Sequence, residues 1–358
     1  MNHPNNICFF NTTPFWGGGE KWHFEAAQLA VEQQIPCFFV CQAHSALAEK
    51  LEPLPVKQFH LSVSNRSFLN PIKVNALVRF FTDNQIETVI FNSPKDLKIG
   101  AKAAKKAGVK TIVYRRGIAV EVKPKALTER LFRDAVTHFI FNSEATKSLV
   151  EKHYRDILAT KKKLVLYNAI ELKNEPGSSH PNNPIIIGNA GRLVEQKGQL
   201  LLIEVAKKLS KKGIPFEMHI AGEGPLEPEI RTAIEQNNLT GQVKLLGFVE
   251  DMQTFMQHID IFVSTALWEG FGFVLAEAMA VKKPVLAFDL SSNPELVKDG
   301  VNGFLIQPNN TSAFAEKLAQ LIGDAALRKQ MGQAGYTFVE DHFERQKQFG
   351  KLMEFLSV

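Results

Sequence analysis

Short apolar runs alternate with segments of helical periodicity along almost the whole chain. Such runs predict buried strands, and the segments between them predict amphipathic crossover helices. The alternation therefore predicts parallel sheets with helices on both faces. In the first half, the predicted strands are Ile7–Phe10, Cys37–Val40, Phe59–Val63, Thr88–Phe91, Thr111–Tyr114, His138–Phe141 and Leu164–Leu166. The helices between them are Glu20–Val31, Lys73–Asn84, Asp96–Ala107, Ala126–Asp134 and Glu144–Tyr154. In the second half, the predicted strands are Ile185–Gly188, Met218–Ala221, Val243–Leu246, Ile261–Ser264, Pro284–Ala287 and Gly303–Ile306.

One segment interrupts the alternation. Residues 173–184 contain three prolines together with Gly, Ser and Asn, a composition that disfavours both helix and strand. We interpret it as a linker between a doubly wound domain at 1–172 and a second one at 185–330. Residues 331–358 have only helical patterning, and we expect them to pack back on the first domain. A length of 358 residues agrees with two such domains.

Composition places the chain among globular proteins. Its residues are 45% hydrophobic and 22% charged, so each domain can bury a sizeable core. No apolar run approaches the ~20 residues that cross a bilayer, and Met1 to Asn6 lacks the features of a signal peptide, so a cytoplasmic protein is expected. Cys8, Cys37 and Cys41 lie in or beside strand-like runs without metal-ligand spacing, which predicts reduced core thiols.

Charge is distributed unevenly between the halves. Residues 1–170 carry 24 Lys and Arg against 14 Asp and Glu, and the remainder carries 18 against 23. A basic first half suggests contact with an anionic acceptor or with the anionic inner face of the membrane. The solvated face of a helix is the favoured explanation for Lys102, Lys105 and Lys106. No aromatic and basic motif of a nucleic-acid module is present, so no nucleic-acid partner is expected.

Ligands of open α/β sheets bind beyond the carboxyl ends of the strands, so the loops that follow strands are the places to look for function. The segment Trp16-Gly-Gly-Gly-Glu20 would let backbone N–H groups approach an anion, although a glycine run also makes an ordinary turn. In Ala190-Gly-Arg192-Leu-Val-Glu-Gln-Lys197-Gly, two cations precede a predicted helix. The helix dipole disfavours cations there unless an anion lies between them. Ala221-Gly-Glu-Gly-Pro225 and Leu246-Gly-Phe-Val249 are weaker candidates for loops that line a pocket.

A further candidate is Glu269-Gly-Phe-Gly-Phe-Val-Leu-Ala-Glu277, in which two carboxylates flank a glycine turn that runs into an apolar helix. Gly270 and Gly272 allow close approach of a ligand, and the first amides of a helix favour a diphosphate. At ~1.5 Å per helical residue the carboxylates are roughly 10 Å apart along the axis, about the distance from a sugar to a ribose across a pyrophosphate. A capped amphipathic helix with Glu277 on its solvated face explains the segment equally well.

Taken together, these motifs resemble the second domain of the family 4 retaining glycosyltransferases, which have the GT-B fold. In that fold two Rossmann-like domains face each other across a cleft, and a C-terminal helix crosses back to the first domain. The resemblance covers most of residues 185–310, and the first half matches more loosely. The motifs that carry it are Gly191-Arg192, Lys197-Gly198, Gly222-Glu-Gly224-Pro225, Leu246-Gly-Phe-Val249, Glu269-x7-Glu277, Val297-Lys-Asp-Gly-Val-Asn-Gly303, Gly17-Gly-Gly-Glu20 and Phe141-Asn-Ser-Glu144.

The resemblance implies a retaining transfer of sugar from a nucleoside-diphosphate sugar to a glycan or lipid-linked acceptor, as in bacterial lipopolysaccharide or surface-glycan synthesis. It assigns catalytic roles to Arg192 and Lys197 on the donor diphosphate and to Glu269 on the donor sugar. The other implied binding residues are Glu277 on the ribose, Gly191 and the amides of Gly270, Phe271, Gly272 and Phe273 at the phosphates, Phe248 and Val249 at the base, and Gly18 and Gly19, which would close over the diphosphate.

The chain departs from the family pattern at two places. Tyr114-Arg115-Arg116-Gly117 has Arg116 where the family usually has a histidine that contacts the sugar, and Asn168-Ala169 replaces Asn-Gly. The first departure leaves open a sugar-nucleotide-binding scaffold or regulatory subunit without turnover. A dinucleotide-dependent oxidoreductase is disfavoured because no intact GxGxxG is present. The sequence also lacks Asp-x-Asp and a His/Asp cluster with ligand spacing, so neither a metal nor another cofactor is expected.

Overall fold

The chain forms two compact units in the computed structural model, which describes residues 6–172 and 183–357. The first unit combines Met1–Ala169 with Gln346–Val358, and the second is Ile170–Arg345. Most of the predicted linker, residues 173–182, lies outside the described residues.

The first unit contains a seven-stranded, fully parallel sheet. Its strand order is β3-β2-β1-β4-β5-β6-β7, so the order reverses between β1 and β4, as in doubly wound sheets. The strands are β1 (Ile7–Phe10), β2 (Cys37–Cys41), β3 (Lys57–His60), β4 (Thr88–Phe91), β5 (Thr111–Arg116), β6 (His138–Phe141) and β7 (Lys162–Val165).

Helices cover both faces of this sheet. They are α1 (Gly18–Glu32), α2 (Ala46–Leu51), α3 (Pro71–Asp83), α4 (Pro94–Lys106), α5 (Ala126–Asp134) and α6 (Glu144–Ala159), together with a C-terminal helix α14 (Arg345–Leu356). Several begin at residues that cap the first amides: Asn70 at α3, Ser93 at α4 and Ser143 at α6. On α4 the alanines are buried and Lys102, Lys105 and Lys106 are exposed, as expected for an amphipathic helix.

The C-terminal helix α14 completes one of the two cores of the first unit. Phe349, Leu352, Met353 and Leu356 are buried in the cluster that also contains Phe9 of the central strand. The GT-B expectation that a C-terminal helix returns to the first domain is therefore confirmed.

The second unit contains a six-stranded parallel sheet with the order β10-β9-β8-β11-β12-β13. The strands are β8 (Ile185–Ala190), β9 (Phe216–Ala221), β10 (Val243–Gly247), β11 (Ile261–Ser264), β12 (Val285–Phe288) and β13 (Gly303–Ile306). The helices are α7 (Gln199–Lys211), α8 (Glu227–Gln236), α9 (Met252–His258), α10 (Phe273–Ala280), α11 (Asn293–Leu296), α12 (Thr311–Gly323) and α13 (Ala325–His342).

The long helix α13 belongs to the second unit. A Cβ on Gly332 would lie 2.0 Å from the carbonyl oxygen of Lys282, and one on Gly335 would lie 3.1 Å from Met279, so the α13 backbone packs directly on the end of α10. The segment grouped with the first unit thus begins at Gln346, whereas the sequence pattern placed the start of the returning helices at residue 331.

The sequence-based prediction of two doubly wound parallel sheets is confirmed, with differences at the edges. The edge strand β3 is Lys57–His60, not Phe59–Val63. The pattern missed the six-residue helix α2 and ended β5 at Tyr114, two residues early. The three cysteines are free and buried as expected, and burial raises the pKa of the Cys37 and Cys41 thiols to about 12. Within the described residues no helix has the length and apolar character needed to cross a bilayer.

Candidate functional site

The loops that follow β8, β9 and β10 lie directly on one another. Gly191 N–H donates to Ala221 O at 3.0 Å, and Gly222 N–H donates to Gly247 O at 2.7 Å. Gly222 has φ +135°, and a Cβ there would lie 2.0 Å from Gly191 O. Only glycine allows this approach of backbone to backbone. The glycines therefore form a thin layer of main chain at the carboxyl edge of the second sheet.

Lys197 and Glu269 form an ion pair between two of these edge loops. Lys197 ends the short 3₁₀ turn Glu195–Lys197 after β8, and Glu269 lies in the loop after β11. Their side chains are only 19% and 11% exposed. Gln196 fixes the two loops together, because its Nε2 donates to Trp268 O at 2.9 Å and its carbonyl accepts from Leu267 N–H at 2.8 Å. An ammonium has three N–H donors, so Lys197 can hold this carboxylate and a further anionic oxygen at once.

Arg192 stands in the same loop as Lys197, and its side chain is exposed. Its carbonyl accepts from Gln199 Nε2 at 3.1 Å, which fixes the backbone but leaves the guanidinium outside. Gly198 has φ +63° immediately before α7, and a Cβ there would lie 2.1 Å from Thr265 O. The structure thus places both predicted cations just ahead of a helix, as the sequence pattern indicates.

The segment between Glu269 and Glu277 contains the start of α10. Gly272 precedes the helix with φ +85° and provides no side-chain cap. Ser292 Oγ donates to Glu269 O at 3.2 Å, which fixes the backbone of the carboxylate-bearing loop. Glu277 is half-buried, one turn into the helix. The separation of roughly 10 Å assumed helical rise from Glu269 onward; because α10 begins at Phe273, that assumption is wrong for the first four residues of the segment.

The remaining predicted residues of the second unit differ in exposure. Phe248, after β10, is 73% exposed and Val249 is half-buried, so the Phe248 ring is available for stacking on a flat group such as a base. Phe271 is 2% exposed and packs edge-on against Phe343 at 5.2 Å between ring centroids. Its side chain is therefore part of the core, and only its backbone borders the turn.

In the first unit, Gly18 and Gly19 form the first residues of α1, after the carboxyl end of β1. The preceding Gly17 makes no side-chain capping bond. A Cβ on Gly19 would lie 2.6 Å from Asn92 Nδ2, so this turn packs on the Asn92 amide. Gly18 and Gly19 thus lie at a helix N-terminus, as predicted from the sequence.

Arg116, the residue at the usual histidine position, is buried, and its Nη2 donates to Val120 O at 2.8 Å. In this conformation its guanidinium holds the loop that follows β5.

The neighbouring Arg115 is a residue that sequence reasoning missed. It is 1% exposed, and burial lowers the pKa of its guanidinium to about 9. Two arginines that continue an apolar strand, with asparagines ending nearby strands, were the signal in the sequence.

Metal-ligating side chains do not cluster in the described part of the chain: no group of three or more His, Cys, Asp or Glu side chains could hold an ion there. The expectation of a reaction without a metal therefore stays a prediction.

Comparison with known proteins finds relatives in sequence for the second unit and in fold for the whole chain. Residues 171–338 match the family model described as "Glycosyl transferases group 1"; the match covers a little under half of the chain and lies entirely in the second unit. A poly(ribitol-phosphate) alpha-N-acetylglucosaminyltransferase of Staphylococcus aureus is 36% identical over 166 residues, which are 46% of this chain and 33% of that protein. The chain spans between about a third and about half of the length of the curated relatives it matches.

Solved structures show the fold of the whole chain. HepE of Anabaena in complex with UDP has a TM-score of 0.83 at 23% identity, covering 98% of this chain and 99% of its own. The lipopolysaccharide outer core galactosyltransferase WaaB has a TM-score of 0.77 at 20% identity, covering 98% of this chain and 99% of its own. The chain has the GT-B fold, and its second unit is similar in sequence to the group 1 glycosyltransferases.

Proposed function

We propose that the protein is a family 4 retaining glycosyltransferase that uses a nucleoside-diphosphate sugar. The observation that carries the proposal is the Lys197–Glu269 ion pair beside the exposed Arg192, at the carboxyl edge of a doubly wound sheet and just ahead of α7. Such an edge is where ligands of these sheets bind. Two cations and one carboxylate there suit a molecule with an anionic diphosphate at one end and hydroxyls at the other.

The proposed chemistry follows from the charges that develop during transfer. As the glycosyl group leaves, negative charge grows on the diphosphate while the anomeric carbon becomes cation-like. Fixed positive groups aimed at the diphosphate stabilise that state. Arg192 and Lys197 provide them, together with the amides of Gly270 to Phe273 at the start of α10. Protein cations thus take the part that a divalent ion plays in other transferases.

The carboxylates have different parts in this proposal. Glu269, which contacts Lys197, binds the hydroxyls of the donor sugar. Glu277 binds the ribose, and Phe248 and Val249 lie against the base. No carboxylate is assigned as a covalent nucleophile, so we propose front-face substitution with retention, in which the leaving phosphate accepts the proton of the acceptor hydroxyl.

The acceptor is proposed to be a glycan or a lipid-linked glycan of the cell surface. The names of similar proteins support this: one is a poly(ribitol-phosphate) transferase, another is a putative colanic acid biosynthesis glycosyltransferase of Salmonella typhimurium, and WaaB acts on the lipopolysaccharide outer core. Synthesis of lipopolysaccharide or another surface polysaccharide in the cytoplasm is the proposed setting.

Peripheral contact of the first unit with an anionic membrane is part of the proposal. Leu69 and Ile72 are 65% and 78% exposed, and Lys98 and Lys102 of α4 donate to Asn65 and to Phe68 O in the same loop region. Exposed apolar side chains with lysines close by suit an anionic bilayer surface. We expect co-sedimentation with vesicles containing phosphatidylglycerol and little with purely zwitterionic vesicles. Equal sedimentation with anionic and zwitterionic vesicles would contradict the proposed membrane contact.

Donor turnover distinguishes this function from the alternative, a sugar-nucleotide-binding scaffold or regulatory subunit without turnover, which is suggested by Arg116 at the usual histidine position. We expect slow release of nucleoside diphosphate when the protein is incubated with UDP-, GDP- and ADP-sugars, and faster release when acceptor lipid extract is added. UDP-sugars are the first to test, because HepE binds UDP. Coupled detection of the released nucleoside diphosphate measures both rates. Thermal stabilisation by one nucleotide without any release, even with extract, would favour the binding scaffold.

A further inference from the structure

Five polar side chains lie together at the carboxyl edge of the first sheet, and we refer to them as the polar cluster: Asn11, Glu20, Asn92, Arg115 and Asn168. Asn11 follows β1, Asn92 follows β4, Arg115 belongs to β5 and Glu20 lies in the first turn of α1. All but the half-buried Asn92 are buried. Glu and Arg side chains are rarely buried without a partner, so contacts of Glu20 and Arg115 with polar partners are expected.

Asn92 connects the two charged groups of the polar cluster. Its Nδ2 donates to Glu20 Oε1 at 3.4 Å, and its Oδ1 accepts from Arg115 Nη1 at 3.3 Å. Asn11 Nδ2 donates to the same oxygen of Glu20 at 3.0 Å. The amide of Asn92 therefore has its donor toward the anion and its acceptor toward the cation, an orientation that both charges enforce.

Arg115 is held in place from two further sides. Its Nη2 donates to Asn168 Oδ1 at 2.7 Å, and its guanidinium lies over the Trp22 ring of α1 at 4.3 Å from the centroid. His23 is close by, but burial, followed by the charge of Arg115, lowers the pKa of His23 to about 3, so that imidazole is neutral. Arg115 is thus the cation that balances Glu20 in this cluster.

The glycine turn before α1 rests directly on the polar cluster. A Cβ on Gly17 would lie 3.2 Å from Glu20 Oε2, and one on Gly19 would lie 2.6 Å from Asn92 Nδ2. The Glu20 carboxylate is therefore immediately beneath the backbone of this turn. The helix N-terminus stabilises this negative charge, but the charge offsets the positive potential there, and without compensation it would repel a bound anion.

We propose that Arg115 is a positioning residue that lets the Gly17–Gly19 turn accept an anionic diphosphate. It does so by neutralising Glu20 beneath the turn and by fixing the Asn92 amide against Gly19. This role rests on the proposed function and on the part that the resemblance implies for Gly18 and Gly19, which would close over the donor diphosphate. It assigns a purpose to an arginine that has no counterpart among the residues carried over by resemblance.

The test is the variant R115M in the full-length protein. Its affinity for the nucleoside diphosphate and its kcat/KM for the donor sugar should fall about 10- to 100-fold, because one uncompensated carboxylate then faces the diphosphate at short range. Affinity for the uncharged nucleoside, measured by calorimetry, should not change. An unaltered kcat/KM in R115M would overturn the proposal.

The double variant E20Q/R115M separates the charge effect from a packing effect. Removing the carboxylate as well should restore most of the lost diphosphate affinity, whereas a defect caused by lost packing on Trp22 would persist. If E20Q/R115M is as weak as R115M, the proposal is wrong. If R115M does not fold, R115K supplies the test: it keeps the charge but loses the planar fork that reaches Asn92 and Asn168, so its diphosphate affinity should fall by less than about tenfold. A loss of about tenfold or more in R115K would overturn the role.

Measurements on the wild-type protein distinguish failure of this role for Arg115 from failure of the proposed glycosyltransferase function. If the wild type binds no nucleoside diphosphate and releases none from any donor, the proposed function fails, and this role for Arg115 fails with it. If the wild type binds and turns over, only the behaviour of the Arg115 variants decides the further inference.

Discussion

Replacing Arg192 by alanine is expected to lower kcat/KM for the donor by at least about 100-fold, the usual consequence of removing a group aimed at developing negative charge. The thermal midpoint should remain at the wild-type value, because the side chain is exposed and Arg192 holds Gln199 and Val194 through its backbone carbonyl, which alanine keeps. Steady-state kinetics with the turned-over donor, together with a thermal melt, measures both quantities.

A matched control for Arg192 exists on the same unit. Arg231 is an exposed arginine of α8, paired with Glu227 one turn away at 2.8 Å. Arg231→Ala removes the same charge from the same unit without touching the candidate site, so its kcat/KM should stay within about twofold of wild type. A wild-type rate in Arg192→Ala, or an equal loss in both variants, would contradict the electrostatic role of Arg192.

The two carboxylates on either side of the Gly270–Gly272 turn, Glu269 and Glu277, are expected to have separate effects on turnover and on nucleotide binding. Glu269→Ala should lower kcat about 100-fold with a smaller loss of affinity for the bare nucleotide, because Glu269 is assigned to the sugar. Glu277→Ala should weaken nucleotide binding about 10- to 30-fold, as loss of hydrogen bonds to a charged acceptor does. Single-turnover kinetics and calorimetry with the nucleoside diphosphate measure the two effects independently.

Glu269→Gln controls for the loss of the side chain that contacts Lys197. Alanine leaves the Lys197 ammonium without its carboxylate, which lowers stability as well as activity. Glutamine keeps the size and an oxygen acceptor, so a loss of kcat in both variants assigns the effect to the carboxylate. If Glu269→Ala and Glu277→Ala changed turnover and nucleotide affinity equally, the assignment of each to its end of the donor would be wrong.

Much of the fold could be predicted because parallel strands that are buried on both faces have continuous apolar sequences. Ile7–Phe10, Thr88–Phe91, His138–Phe141 and Ile261–Ser264 were predicted with the observed ends, and in all four every residue is buried. The edge strand β3 shows why apolar runs do not locate every strand. Its two end residues are exposed and its two central residues only half-buried, so the apolar pattern was displaced toward the more hydrophobic residues that follow it.

The candidate site could be predicted only in part, because its residues are distant in sequence. Local patterns placed Arg192 and Lys197 ahead of a helix and Glu269 ahead of another. They could not show that Lys197 and Glu269, 72 positions apart, form an ion pair. Arg115 was missed for a related reason: whether an arginine at a strand end is buried depends on Asn168, 53 positions away, and on the ring of Trp22.

The place of α14 has a consequence for how the polypeptide acquires its structure during synthesis. The apolar side chains of α14 complete a core whose other members include Ile7, Phe9 and Trp22. The amino-terminal strands are synthesised first, but their core cannot be completed until residues 346–357 have left the ribosome. The second unit, whose strands and helices are contiguous in Ile170–Arg345, has no such delay. The half that is translated later is therefore the first that can reach its final packing.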